Sequence, residues 1–383
     1  MRNALARLAS LDLPKVSPTD LPFPTAAQLD LAKAAILGAD AAAPAWRRWK
    51  GRGLALEEVD EASGRLFSQL WINHESAGIG DDDLALLKGV YRQTLAHNAV
   101  TLAAGLEMSQ PLAAAGIPMV FIKGAAMIAM AGGRIGLRRT NDVDVLIPEA
   151  DAARAVAIMR GAGYQPTLQA DHTAIGAQHA VGFRDAAGVE IDLHWWAFKV
   201  AGDDRAVFET ACPATLLGRG VLVPSPTECL VGAVGGAFSC GWSGSPLRWI
   251  ADAMLLLENS TIDWDYVVQR AARPGLTLAL ADGLAFLVRE FAAPVPSRVV
   301  AELRRRPVGW RERGNHWAVC DGRRPGRVLL YHLEQHRARR LRYPADVPWD
   351  LLGHLAQVTG KKSGRRRDVV QRLRAPAPVT QLR

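Results

Sequence analysis

Asp142 and Asp144 stand two positions apart, and their spacing is the feature of this chain that most directly suggests chemistry. Polar and apolar residues alternate in segment 141–148, which places both carboxylates on one face of a β-strand. Like charges at that separation repel and raise each other's pKa unless a cation lies between them. The pair therefore predicts a divalent metal site. The same repulsion predicts that Asp142→Asn or Asp144→Asn leaves the fold intact or slightly more stable.

A third carboxylate follows in a second alternating segment. Residues 189–195 place Asp192 and His194 on one face of a strand. If this strand lies beside the first, Asp192 converges with the earlier pair. Three carboxylates can then hold two divalent ions that bridge triphosphate oxygens and an acceptor hydroxyl. For His194 we expect packing or support of the metal ligands, and not a direct role.

Strands and helices must surround these segments to bring the carboxylates together. The apolar run 119–122 indicates a strand, and Lys123-Gly124 forms a tight turn into a helix of small residues. The resulting order of core elements is βαβαβββ. The remaining elements follow from periodicity and residue propensity. They are helices at 26–43, 82–115 and 149–162, and strands at 164–168 and 180–184.

These motifs resemble the nucleotidyltransferase superfamily, and within it the bacterial group of uncharacterised nucleotidyltransferases. The segments that carry the resemblance are 122–124, 137–146, 191–195, 247–256 and 262–265. The resemblance as a whole covers roughly residues 86–290. The resemblance implies an α/β (α+β) fold, with a mixed-sheet core and flanking all-α subdomains.

The resemblance also implies an activity, the transfer of an NMP group from an NTP to a hydroxyl-bearing acceptor with Mg²⁺ or Mn²⁺ as cofactor. In the family the paired acids bind both metal ions and the third acid holds the catalytic ion. Those roles fall here on Asp142, Asp144 and Asp192. Natural-product, peptide and glycan intermediates all remain open as acceptors. The alternative is a non-catalytic nucleotide- or polyanion-binding protein with the same fold.

The expected phosphate-binding turn departs from the superfamily pattern. Ala125 follows Gly124, where the superfamily usually has Ser or Gly. We therefore expect nucleotide contacts from backbone N–H groups at Gly124 and the helix start, helped by Lys123, Arg138 and Arg139. A cation at a helix N-terminus opposes the helix dipole, so Lys123 also indicates an anion nearby.

Composition divides the chain into four regions. They are an N-terminal helical region (1–84), the nucleotidyltransferase core (85–225), a helical subdomain (226–295) and a basic extension (296–383). The extension has 21 Lys and Arg against 7 Asp and Glu, a net charge of +14, whereas the first 295 residues carry −6. This charge fits an anionic partner, such as nucleic acid, a membrane surface or a polyanionic substrate, and it equally fits a solvated extension.

Several function classes find no support in the sequence. The four cysteines contain no C-x-x-C pair, which argues against a zinc site or a disulfide framework. Neither a Walker loop nor a G-x-G-x-x-G motif is present. No apolar run approaches the roughly 20 residues of a membrane-spanning helix. We expect a cytoplasmic protein, and the sequence leaves its oligomeric state open.

Overall fold

A computed structural model describes residues 21–167, 179–197, 204–239, 246–272 and 275–320, together with 336, 337 and 340. These residues form a mixed α/β fold in which a five-stranded sheet is packed against helices. Among the helices of these ranges, none combines the length and the apolar character needed to cross a membrane. The fold class expected from the sequence is confirmed.

The order of core elements along the chain agrees with the sequence prediction. The strands are β1 (Val120–Ile122), β2 (Val143–Leu146), β3 (Gln165–Pro166), β4 (Ala180–Arg184), β5 (Glu190–His194), β6 (Cys212–Leu216) and β7 (Arg219–Val223). The helices are α1 (Ala26–Ile36), α2 (Ala39–Lys50), α3 (Glu61–Gly64), α4 (Phe67–Ile72), α5 (His74–Ala77), α6 (Asp81–Met108), α7 (Gln110–Ala114), α8 (Lys123–Met130), α9 (Ala152–Gly161), α10 (Arg205–Glu209), α11 (Pro226–Ser239), α12 (Arg248–Asn259), α13 (Trp264–Ala272), α14 (Thr277–Phe291), α15 (Ser297–Arg305) and α16 (Trp310–Cys320).

The central sheet has the spatial order β1-β2-β5-β4-β3. Strands β2 and β5 are parallel neighbours, and the other neighbouring pairs are antiparallel. Helix α6 packs closely on this sheet, because Gly105 has no side chain and lies directly against Val143 of β2. Strands β6 and β7 form a separate hairpin.

Two helices predicted as continuous are each interrupted. The predicted helix 82–115 ends at Met108 and resumes at Gln110, since Pro111 cannot donate a backbone hydrogen bond inside a helix and is tolerated only in a first turn. The predicted helix 26–43 ends at Ile36, where Leu37 has an extended backbone. Gly38 then precedes α2 as its N-cap. Each break thus lies next to a residue, Pro111 or Gly38, that is unfavourable inside a helix.

The N-terminal helices and the later helical subdomain share one hydrophobic core. Leu31, Trp46 and Trp49 belong to the same buried cluster as residues of α11, α12 and α14. The Trp249 indole Nε1 donates to the Pro22 carbonyl at 2.7 Å, and Lys33 pairs with Glu290 at 2.8 Å. Two regions that are distant in sequence therefore form one helical body beside the sheet.

The first part of the basic extension is folded onto this helical body. Helix α15 packs on α14, and Val299 and Leu303 are fully buried. Most of the strongly basic sequence after residue 320 lies outside the described residues. The predicted anionic partner of that segment therefore stays a prediction.

His316 attaches helix α16 to the helical body and makes stability depend on pH. Its Nε2 lies 2.8 Å from Asp282, and its ring stacks on Phe238. Burial acts to lower the pKa of His316, but the hydrogen bond to Asp282 and the contact with Cys320 raise it to about 9. A raised histidine pKa stabilises the fold fully below the unfolded value of about 6.5, and that stabilisation is lost as the pH rises through 9.

We expect the unfolding free energy to fall between pH 6.5 and 9 by about 1 kcal/mol from this pair, because the partly exposed Asp282 weakens the interaction. His316→Gln should remove this part of the pH dependence. Denaturant unfolding of both proteins across this pH range measures the difference. Parallel stability curves for the two proteins would contradict the assignment.

Candidate active site

The parallel pairing of β2 with β5 places the acidic residues side by side. Asp144 and Asp192 are register partners in the middle of the sheet, and Asp142 directly precedes β2. The Asp144 side chain is 3% exposed, whereas Asp142 and Asp192 are partly exposed. Of the three carboxylates singled out from the sequence, the structure thus brings Asp144 and Asp192 side by side, with Asp144 deepest. Asp142 lies two positions before Asp144 and is outside the group of ligand atoms that could share one ion.

Gly182 of β4 makes the space that Asp192 occupies. The two residues are cross-strand partners, and a Cβ atom at position 182 would lie 2.9 Å from Asp192 Oδ1 and 2.5 Å from Thr167 Oγ1. Any larger side chain would push against the carboxylate. A glycine inside a strand often marks such a close approach.

Lys123 reaches the buried aspartate from the turn between β1 and α8. Its Nζ forms an ion pair with Asp144 Oδ1 and lies 3.2 Å from His194 Nε2. His194 Nε2 in turn lies 2.9 Å from the same Asp144 oxygen. The backbone of Lys123 has a φ of 50°, a left-handed conformation that costs energy for a residue with a side chain. Strained conformations of this kind cluster at functional sites.

The charges of the site shift its pKa values in opposite directions. Burial acts to raise the pKa of Asp144, but the Lys123 ammonium and the His194 hydrogen bond hold it well below its usual range. Burial, with the charges of Asp144 and Asp142, raises the pKa of Asp192 to about 6. Burial and the Asp144 charge also raise the pKa of Asp142. One ammonium therefore does not compensate the three carboxylates, and the site favours a further cation.

His194 lies on the expected strand face, close enough to Asp144 and Asp192 to be a metal ligand. Single ligand atoms of Asp144, Asp192 and His194 lie within 4.8 Å of one another, as a metal site requires. Burial and the nearby Lys123 charge lower the pKa of His194, which favours the neutral ring that can bind a metal. Two carboxylates suit Mg²⁺ or Mn²⁺, and the imidazole shifts the preference of the set toward a transition ion such as Mn²⁺. The residues present therefore fit a divalent cation.

The expected phosphate-binding residues separate into two groups. Lys123, Gly124 and Arg138 line a cavity that also contains Asp142 and Asp144. Arg139 does not line it and instead bonds Asn141 at 3.3 Å on the surface. Two adjacent arginines that the sequence could not distinguish thus have different surroundings.

The cavity has a volume of about 420 Å³ and lies between the sheet and the helical body. Its far wall is formed by α11, where Gly232 and Gly236 leave space, and by α12, which contributes Arg248 and Asp252. Asp252 lay within a segment that carried the family resemblance, and its charge amid apolar helix positions was the available signal.

Asn98 of α6 is a further residue that sequence reasoning missed. It is fully buried, donates from Nδ2 to the Arg138 carbonyl at 2.7 Å, and accepts from the Thr140 backbone N–H at 3.0 Å. Thr140 Oγ1 then donates to the Asp142 carbonyl at 2.8 Å. These bonds hold the segment that leads into β2, and a polar side chain on the apolar face of a long helix was the signal for this role.

Gly124→Ala is expected to destabilise the protein by about 1–3 kcal/mol and to weaken nucleotide binding. A Cβ atom there would overlap Thr140 Oγ1 and lie 2.8 Å from Arg138 Nη1. Gly89→Ala is the matched control, because Gly89 lies inside α6 with no atom within 4 Å of an added Cβ.

The control should stabilise the protein by about 0.5–1 kcal/mol through helix propensity. Denaturant unfolding and nucleotide titration measure both effects. Equal stabilities for the two variants would contradict the close packing at Gly124.

Comparison with known proteins gives the family of the chain. The family model described as uncharacterised nucleotidyltransferase matches residues 56–292. One similar solved structure is the antibiotic-resistance factor ANT(2'')-Ia, at 15% identity and a TM-score of 0.35 over 51% of this chain and 98% of that one. Another is an antigenic nucleotidyltransferase-like protein from Paracoccidioides brasiliensis, at 17% identity and a TM-score of 0.35 over 57% of this chain and 95% of that one.

No curated protein matches the chain. The two structural similarities are too remote to identify a substrate. The family match, in contrast, extends over more than half of the sequence and includes all three aspartates of the site. The protein belongs to the family of uncharacterised nucleotidyltransferases.

Proposed function

We propose that this protein is a metal-dependent nucleotidyltransferase that moves an NMP group from an NTP to a hydroxyl group of an acceptor. The observation that carries the proposal is the pairing of Asp144 with Asp192 across β2 and β5. Asp144 also lines the cavity, together with Asp142, Lys123 and Arg138. Carboxylates suited to metal and cations suited to phosphate thus share one space.

Each residue of the site has a proposed part in this reaction. Asp144, Asp192 and His194 would hold Mg²⁺ or Mn²⁺, and Asp142 at the cavity would be a further ligand. When bound, the cation would neutralise phosphate charge and lower the pKa of the acceptor hydroxyl. Lys123, Arg138 and the first N–H groups of α8 would bind the β- and γ-phosphates.

The chemistry is an in-line displacement. The acceptor oxygen attacks the α-phosphorus and loses its proton to solvent, and the bond from that phosphorus to the β-phosphate oxygen breaks. Pyrophosphate leaves with the electron pair. The role of the protein is to align the two reactants and to hold positive charge where the leaving group develops negative charge.

Lys123 has two roles in this scheme. Its ammonium lies against Asp144 and His194 and partly compensates the carboxylate charge of the site. A metal ion held by Asp144 would displace the ammonium by repulsion, and the side chain, which is 47% exposed, has room to turn toward a triphosphate. Metal and nucleotide are therefore expected to bind cooperatively.

A turnover assay tests the proposed function. The protein is incubated with each α-labelled NTP, Mg²⁺ or Mn²⁺, and a panel of natural-product, peptide, glycan and tRNA acceptors. We expect metal-dependent pyrophosphate release together with label on one acceptor class. Tight NTP binding without release for any acceptor would instead support a non-catalytic nucleotide-binding protein.

A further inference from the structure

We propose that Asp252, in the helical body, is a positioning residue for the nucleoside triphosphate, and that it acts by fixing the guanidinium of Arg138. This inference rests on the proposed function and extends it, because it makes α12 part of nucleotide binding. The two residues are 114 positions apart in sequence and meet at the wall of the cavity.

The two side chains form a bidentate pair. Arg138 Nε donates to Asp252 Oδ1 at 2.7 Å, and Nη2 donates to Oδ2 at 3.0 Å. Both side chains are about nine-tenths buried, at 10% and 9% exposure. This side-on geometry uses the Nε/Nη2 edge of the guanidinium, and the two parallel N–H···O bonds fix its plane. The remaining nitrogen, Nη1, is directed elsewhere.

Nη1 is directed toward the start of α8. It lies 2.8 Å from the position that a Cβ atom of Gly124 would take. The charge of Arg138 also acts on the Asp142 carboxylate. The free edge of the guanidinium therefore lies between the acidic site and the turn at Lys123, where a triphosphate would require positive charge.

The backbone of Arg138 is held as firmly as its side chain. Asn98 bonds the Arg138 carbonyl and the Thr140 N–H, so α6 fixes the loop while α12 fixes the guanidinium. An arginine held at both ends loses little entropy when it binds an anion. Without Asp252 the same guanidinium would be free to rotate away from the cavity.

A purely structural role is the competing explanation. A buried ion pair often adds little stability compared with a well-packed apolar pair of similar volume. A pair that only joined the sheet to the helical body could therefore be replaced by apolar residues without loss of nucleotide affinity. A positioning pair could not, because the apolar replacement leaves no cation for the phosphates.

A double-mutant cycle separates these explanations. Calorimetry gives the Kd of a non-hydrolysable NTP analogue with Mn²⁺ for the unmodified chain, Asp252→Leu, Arg138→Met and the double variant, and each is compared with the Kd of the matching nucleoside. Asp252→Asn provides a milder variant if Asp252→Leu fails to fold. Asp30→Asn is the control, because buried Asp30 pairs with Arg48 and Arg52 far from the cavity.

We expect each single variant to weaken triphosphate binding about 10- to 100-fold, the loss typical of one charge-assisted hydrogen bond, with nucleoside affinity unchanged. The Asp252 substitution should add nothing once Arg138 is Met. The control should bind as the unmodified chain does.

Additive effects in the cycle, or an equal loss of nucleoside affinity, would overturn the positioning role and leave the proposed function standing. An unmodified chain that binds no triphosphate would overturn both.

Discussion

Asp144→Asn is expected to lower nucleotidyl transfer by about 10³-fold or more, since it removes the central ligand of the proposed metal site. The substituted amide keeps the size of the side chain but loses the charge that a divalent cation requires. Steady-state kinetics and Mn²⁺ titration of the variant measure the two losses. Asp265→Asn is the control, because Asp265 is 80% exposed and remote from the cavity.

The structure changes the stability expected for this variant. Repulsion between strand neighbours alone predicts a neutral or stabilising effect of Asn at either aspartate. Asp144, however, is paired with Lys123, and its lowered pKa means that the folded state favours the charged form. A lowered carboxyl pKa stabilises the fold above the unfolded value of about 3.9. Asp144→Asn should therefore be mildly destabilising at neutral pH, whereas Asp142→Asn should not.

Full activity in Asp144→Asn would remove the aspartate from the mechanism. Loss of activity with unchanged Mn²⁺ affinity would contradict its assignment as a metal ligand, because both effects have the same cause in this account. If the control Asp265→Asn also lost activity and Mn²⁺ affinity, the losses would point to general unfolding.

Lys123→Met is expected to have opposite effects on the two ligands. Without the ammonium at Asp144, Mn²⁺ alone should bind about tenfold more tightly, because no competing cation has to be displaced. Triphosphate affinity should fall about 10- to 100-fold, because a charged phosphate contact is lost. Electron paramagnetic resonance of free Mn²⁺ and calorimetry of the nucleotide provide the two measurements.

Lys33→Met is the matched control, because Lys33 also pairs with a carboxylate, Glu290, but lies in the helical body. It should change neither affinity. Weaker Mn²⁺ binding in Lys123→Met would show that the lysine supports the metal site and does not compete for it.

The acidic strands could be predicted because their information is local. Alternation assigned Asp144 and Asp192 to strand faces, and the glycine after Lys123 indicated the turn into α8. Their convergence depended on β5 lying next to β2, which the structure confirms. The fold class and the pairing of Asp144 with Asp192 thus followed from short segments and their order.

Contacts between distant segments could not be predicted in this way. Periodicity does not distinguish Arg138 from Arg139, and only the approach of Asp252 from α12 separates their roles. His194 could be placed on the correct face, but its distance from Asp144 depends on how the parallel strands align. The shared core of the N-terminal and later helices likewise depends on packing, which no single segment encodes.

We expect this cavity to bind a nucleoside triphosphate through a metal ion held by Asp144 and Asp192. Calorimetric titration with a non-hydrolysable NTP analogue, with Mn²⁺ and then with chelator, tests it without knowledge of the acceptor. We expect saturable binding that weakens at least about tenfold when the metal is removed, and no such metal effect in Asp144→Asn. Equal affinity with and without Mn²⁺, or no binding at all, would contradict it.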